Sequence, residues 1–537
     1  MDPLDRARND ARLGRLILET RAGAGLSGGI RHLRAAVDTF DEMGCVLEAR
    51  TSRIDLGRLY LGLGDCAAAV APLEQAYAAA EAAGEVGLLA ETASRVAEAH
   101  RGTGDYTAAM RYSWLAVGHA QAVGNEQGFA DEQLHLARLQ VRHGQYDDAI
   151  EGAEQALEIF ADGNRAAHQA ACMETLALAF AGKGEDARSD SWFSDSVECF
   201  LAIGSKSDAI AALLRHAQVA RERGRAMEAI VLLERVIKVA RQADDKAAES
   251  RALRMMARIR ADGGEMPAAE VALERALDMS MAADDHDGQA RIHYLRGRML
   301  VQRRDLAGAI QSFTAALGQA QQLSDTTVLE RVLAAMTKVH RQLGSHDQAM
   351  ETLRSWEQTL RERGDRREQL RLIGTMAEVQ EERGAWDEAE TNLRWLLSAC
   401  IDEADAPERI RAHKGLGVVL SKRGEMQEAV SHFAAALHEC DTVTAMGGKP
   451  PVSEAQLCYR YANTLLQCEQ ARAAVPVLER GLMAVENDRL RTRLLVAMGN
   501  ALAMVDERIA ARGYFEQAVK LCEQVGDHKT TKIIRRA

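Results

Sequence analysis

The 537-residue sequence has few prolines and few aromatic residues, and it lacks several features that mark common protein classes. Seven residues are proline and 4% are aromatic. No apolar run approaches the ~20 residues needed to span a bilayer. The nine cysteines include no Cys-x-x-Cys pair, so we interpret them as small core residues of a protein in a reducing, cytoplasmic compartment.

The sequence also has no excess of basic residues. Lysine and arginine total 67 against 79 aspartates and glutamates, which gives a formal charge of −12. A general nucleic-acid binder tends to be basic over its whole surface, and a negative balance fits a cytosolic protein. Residues 1–21 mix charged residues with isolated leucines and isoleucines, so we expect no signal peptide. Neither nucleic acid nor a membrane is therefore expected among the partners.

The feature that is present almost throughout is a period of forty residues. A glycine recurs with this period. A small residue such as Ala97 or Gly417 lies seven positions before it, and another such as Ala109 or Ala429 lies five positions after it. Only Arg304 interrupts the glycine series, whose members are Gly64, Gly104, Gly144, Gly184, Gly224, Gly264, Gly344, Gly384 and Gly424. A fixed period of this size predicts stacked helical hairpins.

Each unit is predicted to contain two helices that meet at the recurrent glycine. Within 123–161, apolar residues at helical spacing precede the turn at Gly144 and resume after it. The composition, rich in alanine, leucine, glutamate, glutamine and arginine, agrees with an all-α fold. We predict eleven hairpins over 1–440, a loop insertion over 441–453, two further hairpins over 454–525 and a C-terminal capping helix over 526–537.

These columns resemble the tetratricopeptide repeat. Its signature is a small residue in the first helix, Gly-Asp/Asn-Tyr at the turn, a small residue in the second helix and Ala-Leu near its end. One unit here has Ala97, Gly-Asp-Tyr at 104–106, Ala109 and Ala116. The resemblance implies a right-handed superhelical solenoid of antiparallel helix hairpins, peptide or protein binding in a concave groove lined by the first helices, and no enzyme activity. The usual unit has about 34 residues, so a forty-residue unit implies longer helices.

Some positions depart from the family pattern. Trp356 and Leu396 stand where the second helix has a small residue, and Ser189 with Asp190 weakens another unit. Small residues leave room where helices cross closely, so we expect helix packing to deviate at these positions.

In that family, five positions of the first helix point into the groove, at thirteen, ten, six, three and two residues before the turn glycine. In the units whose turns lie between Gly264 and Gly424, the first of these positions is always arginine. These residues are Arg251, Arg291, Arg331, Arg371 and Arg411. The other groove positions contribute the further candidates Arg254, Arg258, Arg298, Lys338, Arg341 and Lys414. Opposing acids are few, namely Asp262, Glu378, Glu381 and Glu382.

Two interpretations of this arginine column are open. Stacked units place equal positions next to one another, so the arginines would form a ladder that favours an acidic or phosphorylated segment. Arginine is also a good helix former, and the same column would then pair with carboxylates of neighbouring helices within the solenoid. If each exposed pair contributes ~0.3–1 kcal/mol, a ladder of arginines supports a modest, salt-sensitive interaction.

The sequence therefore predicts a non-enzymatic scaffold or adaptor that binds a peptide segment of a partner protein in its groove. The alternative is a ligand- or peptide-sensing regulatory protein of the same family that switches a separate effector. No catalytic constellation is found, and His100, His216 and His340 each lie on a predicted helix without a second ligand four residues on. Neither a metal nor another cofactor is therefore expected. No feature indicates an oligomeric state.

Overall fold

Almost all of the regular structure is helical. The computed structural model describes residues 2–20, 26–323, 327–485 and 487–525, with 531, 532 and 534, and within them it contains twenty-six α-helices and no β-strand. None of these helices is both long and apolar enough to cross a lipid bilayer. In chain order the helices are α1 (Pro3–Thr20), α2 (Leu26–Glu42), α3 (Val46–Gly62), α4 (Cys66–Ala83), α5 (Val86–Thr103), α6 (Tyr106–Val123), α7 (Glu126–Arg142), α8 (Tyr146–Asp162), α9 (Ala166–Lys183), α10 (Asp186–Ala202), α11 (Lys206–Glu222), α12 (Ala226–Gln242), α13 (Lys246–Asp262), α14 (Met266–Ala282), α15 (His286–Gln302), α16 (Leu306–Ala320), α17 (Thr327–Gln342), α18 (His346–Arg363), α19 (Arg366–Arg383), α20 (Trp386–Ala399), α21 (Ala406–Arg423), α22 (Met426–Ala445), α23 (Glu454–Gln467), α24 (Ala471–Met483), α25 (Asp488–Met504) and α26 (Arg508–Val525).

Successive helices pack against one another as hairpins. Most connections have two or three residues, and connections this short make neighbouring helices antiparallel. The all-α fold of stacked antiparallel hairpins is thereby confirmed. The helices divide into two compact units, Met1–Gly288 and Gln289–Ala537, with the boundary in the first turn of α15.

Within each unit the first helices of successive hairpins lie side by side. In unit 1, α7 contacts α9, and in unit 2, α19 contacts α21. Ion pairs join such helices: Arg15 Nε lies 2.9 Å from Asp55 Oδ2, forty positions further along, and Arg215 pairs with Glu174. Residues about forty positions apart are therefore spatial neighbours. The first helices α17, α19, α21 and α23 form a surface of unit 2 on the side that carries the expected groove positions. We call this surface the helix-A face of unit 2.

The recurrent glycine ends the first helix because the backbone takes a left-handed conformation there. The φ angle is +76° at Gly64 and +88° at Gly424. Arg304, which interrupts the glycine series, adopts the same conformation with φ +61°, although a residue with a Cβ pays roughly 1–2 kcal/mol for it. The N–H of the next residue, Asp305, still donates to Leu300 O at 2.9 Å, so the turn is preserved without glycine.

The small residue of the first helix makes room for a large side chain of the second. A Cβ added to Gly417 would lie 2.7 Å from the ring of Phe433, and one added to Gly297 would lie 2.5 Å from the ring of Phe313. Both rings are 1% exposed. In these hairpins the core is thus built from one small residue and one large residue sixteen positions later, which explains why a small residue is needed there.

The C-terminal part differs in detail from the predicted boundaries. Helix α22 continues through 441–445, so the connection without helix covers 446–453. The capping helix predicted over 526–537 lies mostly outside the described residues. Within this range the structure describes Thr531, Lys532 and Ile534, and all three are helical.

Replacing Gly417 by alanine is expected to destabilise unit 2 by about 1–3 kcal/mol, because the new methyl group overlaps a fully buried ring. Gly318 is the matched control, since it is an exposed glycine inside α16 with no atom within 4 Å of an added Cβ. Gly318→Ala is expected to stabilise by roughly 0.5–1 kcal/mol through helix propensity. Urea unfolding followed by circular dichroism compares the two variants, and equal effects would contradict the packing argument.

Candidate functional site

The predicted site residues are divided between the two units. Arg251, Arg254 and Arg258 lie on α13 in unit 1. Arg251 and Arg258 are exposed, and Arg258 Nε lies 4.0 Å from Asp262 on the same helix. The remaining predicted residues lie on α15, α17, α19 and α21 in unit 2; they are Arg291, Arg298, Arg331, Lys338, Arg341, Arg371, Arg411 and Lys414.

Several of the unit 2 cations pair with carboxylates of the neighbouring first helix. Arg341 on α17 donates two hydrogen bonds to Glu382 on α19, from Nε to Oε2 at 3.0 Å and from Nη2 to Oε1 at 2.6 Å. Its Nη2 also lies 3.5 Å from Glu378, and Lys414 Nζ on α21 lies 3.9 Å from the same carboxylate. The four side chains form a chain of alternating charge across three helices.

The arginine column itself is only partly neutralised. Arg371 Nε lies 3.5 Å from the buried carboxylate of Glu408 on α21, and Arg411 lies 3.9 Å from it. Arg331 and Lys338 on α17 are exposed, and neither has an ion-pair partner within the described part of the chain. Some arginines of the column therefore pair within the solenoid, and others face solvent.

A pocket of about 350 Å³ lies on the helix-A face, where α19, α21 and α23 meet the connection 446–453. We call it the cation pocket. Among the described residues, the one carboxylate in its lining is that of Glu378. Four cationic side chains line it: Arg341, Arg411, Lys414 and Arg460.

The connection between α22 and α23 supplies one wall of the cation pocket. Val452 packs against the hydrophobic core of unit 2. Ser453 Oγ accepts a hydrogen bond from the N–H of Gln456 in the first turn of α23, at 3.4 Å, as an N-cap does. These contacts anchor the end of the connection, so the wall is part of the folded unit.

Glu381 is half-buried beside this pocket. Its carboxylate lies against α21, because a Cβ added to Gly415 would come within 2.9 Å of Glu381 Oε1. Burial raises the pKa of Glu381 to about 7; the charge of Lys414 opposes this rise and that of Glu378 adds to it. The raised pKa makes Glu381 less readily ionised than an exposed glutamate, which reduces the negative charge around the pocket.

A second pocket adjoins the first along the helix-A face. It has a volume of about 660 Å³ and lies between α17, α18 and α19. We call it the Trp356 pocket, after the α18 residue in its lining. Arg341 and Thr375 line both pockets, so the two form neighbouring compartments of one surface.

Sequence reasoning missed Arg460 and Glu408. Arg460 follows the change of register at the 441–453 insertion and does not occupy one of the five expected groove positions. Glu408 comes three residues before Arg411, and only the packing of α19 on α21 shows that it also faces Arg371. No signal in the sequence gives the fold of the connection that brings Arg460 to the pocket.

One group of potential metal ligands occurs among the described residues, in unit 1. Atoms of Asp190, His216 and Glu228 lie within 4.8 Å of one another. However, Arg225 Nη1 donates to Asp190 Oδ2 at 2.6 Å and to Glu228 Oε2 at 2.9 Å. A guanidinium group between the two carboxylates already neutralises them, so the group is better described as an ion-pair network.

Family models match parts of both units. One tetratricopeptide repeat model matches residues 208–282, and a second matches 254–324 and 375–443. Residues 208–324 and 375–443 therefore consist of tetratricopeptide repeats. The matched repeats contain all of α13 and α21, which carry five of the predicted groove cations.

Solved structures of helical repeat proteins resemble this repeat protein over part of its length. A tetratricopeptide repeat protein from Parabacteroides merdae is 17% identical, and the alignment covers 53% of this chain and 96% of that chain with a TM-score of 0.36. BtubC from P. vanneervenii is 21% identical, with 40% and 88% covered and a TM-score of 0.33. A Rap protein complexed with competence and sporulation factor is 12% identical, with 64% and 99% covered and a TM-score of 0.36. No curated protein sequence matches the chain.

The raised pKa of Glu381 predicts a pH-dependent stability difference between the wild type and Glu381→Gln. The folded state holds the proton up to about pH 7, whereas the ordinary pKa is 4.5. The favourable contribution of the protonated carboxyl is therefore complete below pH 4.5 and is lost as the pH rises to about 7. The variant is expected to match the wild type near pH 4.5 and to be more stable at pH 8, by about 1–3 kcal/mol.

Urea unfolding midpoints at pH 4.5 and pH 8 measure this difference. Glu479→Gln, which replaces an exposed carboxylate on α24, is the matched control. A Glu381→Gln advantage that is the same at both pH values would contradict the assignment of a buried, titrating carboxyl.

Proposed function

We propose that unit 2 binds a short acidic segment of a partner protein on its helix-A face, with a carboxylate of the segment held in the cation pocket. Tetratricopeptide repeat proteins serve as protein-interaction scaffolds that present extended surfaces to their partners. The observation that supports this proposal most strongly is the meeting of four cations at one pocket whose lining includes one carboxylate, in a chain with a formal charge of −12.

The cations of the pocket are not equally available to a ligand. Arg341 and Lys414 already face Glu378 and Glu382. Arg411 makes only a long contact with Glu408, and Arg460 is exposed without an ion-pair partner among the described residues. We therefore assign the direct contacts with the carboxylate to Arg411 and Arg460, because a guanidinium group can hold a carboxylate through two parallel hydrogen bonds.

The expected strength follows from these contacts. A hydrogen bond to a charged group contributes about 1.5–3 kcal/mol, so two arginines supply about 3–6 kcal/mol. That corresponds to a dissociation constant between roughly 6 mM and 40 μM. The contact is weak by itself and sensitive to salt, and specific recognition needs further contacts along the same face.

In this proposal the protein acts as a non-enzymatic adaptor in the cytoplasm. The cysteines form no disulfide bond within the described residues, which agrees with a reducing compartment. The alternative, a regulatory protein that switches a separate effector, stays a prediction from the sequence.

Reversing both available charges tests the pocket directly. Arg411→Glu/Arg460→Glu is expected to weaken binding of a fluorescein-labelled hexapeptide that contains two glutamates by at least tenfold, because attraction is replaced by repulsion. Fluorescence anisotropy at 50 and 300 mM salt measures the affinity, with the corresponding glutamine peptide as the ligand control. Arg331→Glu is the matched protein control, since it reverses an exposed charge of the same column that is not in the pocket lining.

Two results would contradict this function. Equal affinity of the wild type for the glutamate and glutamine peptides would contradict the proposal that the ligand is acidic. If Arg331→Glu weakens peptide binding as much as the double variant does, the peptide is attracted by the whole arginine column rather than bound in the cation pocket.

A further inference from the structure

The cation pocket holds more positive charge than a single carboxylate neutralises. Four cations line it, and the carboxylates of Glu378 and Glu382 face them, so two positive charges remain. Glu408 does not remove them, because its carboxylate lies 3.9 Å from Arg411 and is shared with Arg371, another cation of the column, at 3.5 Å. A ligand group that carries two negative charges would balance the pocket.

Uncharged donors line the same pocket. Ser453 Oγ accepts the N–H of Gln456 at 3.4 Å, and the hydroxyl proton of Ser453 has no acceptor among the described residues. The exposed side-chain amide of Gln456 makes no hydrogen bond within the described part of the chain. The guanidinium groups of Arg411 and Arg460, with two hydrogen bonds each, already fill the four lone-pair sites of a carboxylate. The two uncharged donors would therefore be used only by a ligand group with a further oxygen.

The first turn of α23 borders the pocket as well. The N-terminal end of a helix carries partial positive charge, and this charge stabilises a nearby anion. The carboxylate in this turn, that of Glu454, is not in the lining and pairs with Arg480 Nε at 2.5 Å. The helix end thus adds to the field of the four cations, which are the main attraction.

We propose that the cation pocket prefers a phosphorylated serine or threonine of the acidic segment to a carboxylate. A phosphate monoester carries a charge of about −1.5 to −2 at pH 7 and offers three acceptor oxygens. Arg411 and Arg460 hold two of these oxygens, and Ser453 with Gln456 holds the third. This inference rests on the proposed function, because it uses the same pocket and the same segment. Phosphorylation of the partner would then strengthen its binding to unit 2.

Three labelled hexapeptides with the same flanking residues test this preference. Each contains one fixed glutamate and one variable position, occupied by phosphoserine, glutamate or serine, and each is titrated against the full-length protein by fluorescence anisotropy at pH 7.5. The phosphoserine peptide is expected to bind about tenfold more tightly than the glutamate peptide, because its second charge and third oxygen engage groups that a carboxylate leaves unused. Equal affinity of these two peptides would overturn this inference and leave the proposed function intact.

Gln456→Glu adds a negative charge to the pocket lining without weakening the fold. A glutamate three residues after the N-cap Ser453 completes a capping box, so α23 keeps its stability. The variant is expected to weaken the phosphoserine peptide about tenfold and the glutamate peptide about threefold, because repulsion grows with the charge of the ligand. An unchanged preference for phosphoserine in this variant would overturn the assignment to the pocket.

Gln467→Glu is the matched control for this variant. It makes the same charge change at an exposed position of α23 outside the pocket lining, about 16 Å further along the helix. Screening by salt is effective over that distance, so the affinities of all three peptides are expected to stay within about twofold of the wild type. Thermal unfolding of both variants confirms that they are folded.

Competition with inorganic phosphate tests whether the segment or the free ion is recognised. Inorganic phosphate is expected to displace the labelled phosphoserine peptide only at concentrations at least tenfold above those of the unlabelled peptide. Displacement at equal concentrations would assign the pocket to a free phosphate and overturn the phosphorylated segment.

The failures of the two proposals are distinguishable. If the glutamate peptide binds no better than the serine peptide while the phosphoserine peptide binds more tightly than both, the carboxylate ligand of the proposed function fails and the phosphate site stands. If none of the three peptides binds the wild type, both proposals fail.

Discussion

The close packing of a small residue of one helix on a large residue of the next is the constraint on which the rest of the structure depends. Gly417 against Phe433 and Gly297 against Phe313 show how close the contact is, because an added methyl group would overlap the ring. The same contact occurs at Gly57 against Leu73 and at Gly499 against Phe515, so hairpins in both units share this geometry. The first helices then lie side by side, and residues about forty positions apart become neighbours.

This register organises the charges of unit 2. Cations of one first helix face carboxylates of the next, as Arg341 faces Glu382 and Arg371 faces Glu408. Such pairs between partly exposed groups contribute little stability, but they neutralise part of the arginine column. The positive charge that remains is concentrated where the 446–453 connection closes over the helix-A face and adds Arg460 to the cations of the repeats.

The features with functional interest are departures from the repeat. Trp356 replaces a small residue, Glu381 is a half-buried carboxylate with a raised pKa, and the 446–453 connection replaces a short turn. The first two are costly to the folded state, since one leaves a donor without an acceptor and the other takes a carboxyl group out of water. Violations of local rules gathered on one face of otherwise regular repeats are typical of binding sites.

The sequence by itself determined the helix hairpins and their turns, because small residues and turn glycines act locally and recur with one period. It also identified Trp356 as an exception and three of the four cations that line the cation pocket. It did not determine which arginines are paired or that Arg460 joins Arg411, since these depend on contacts between helices more than thirty residues apart. Only the tertiary structure decided where the two pockets lie and that the pKa of Glu381 is raised. Burial and the path of the 446–453 connection are properties of packed helices rather than of any single helix.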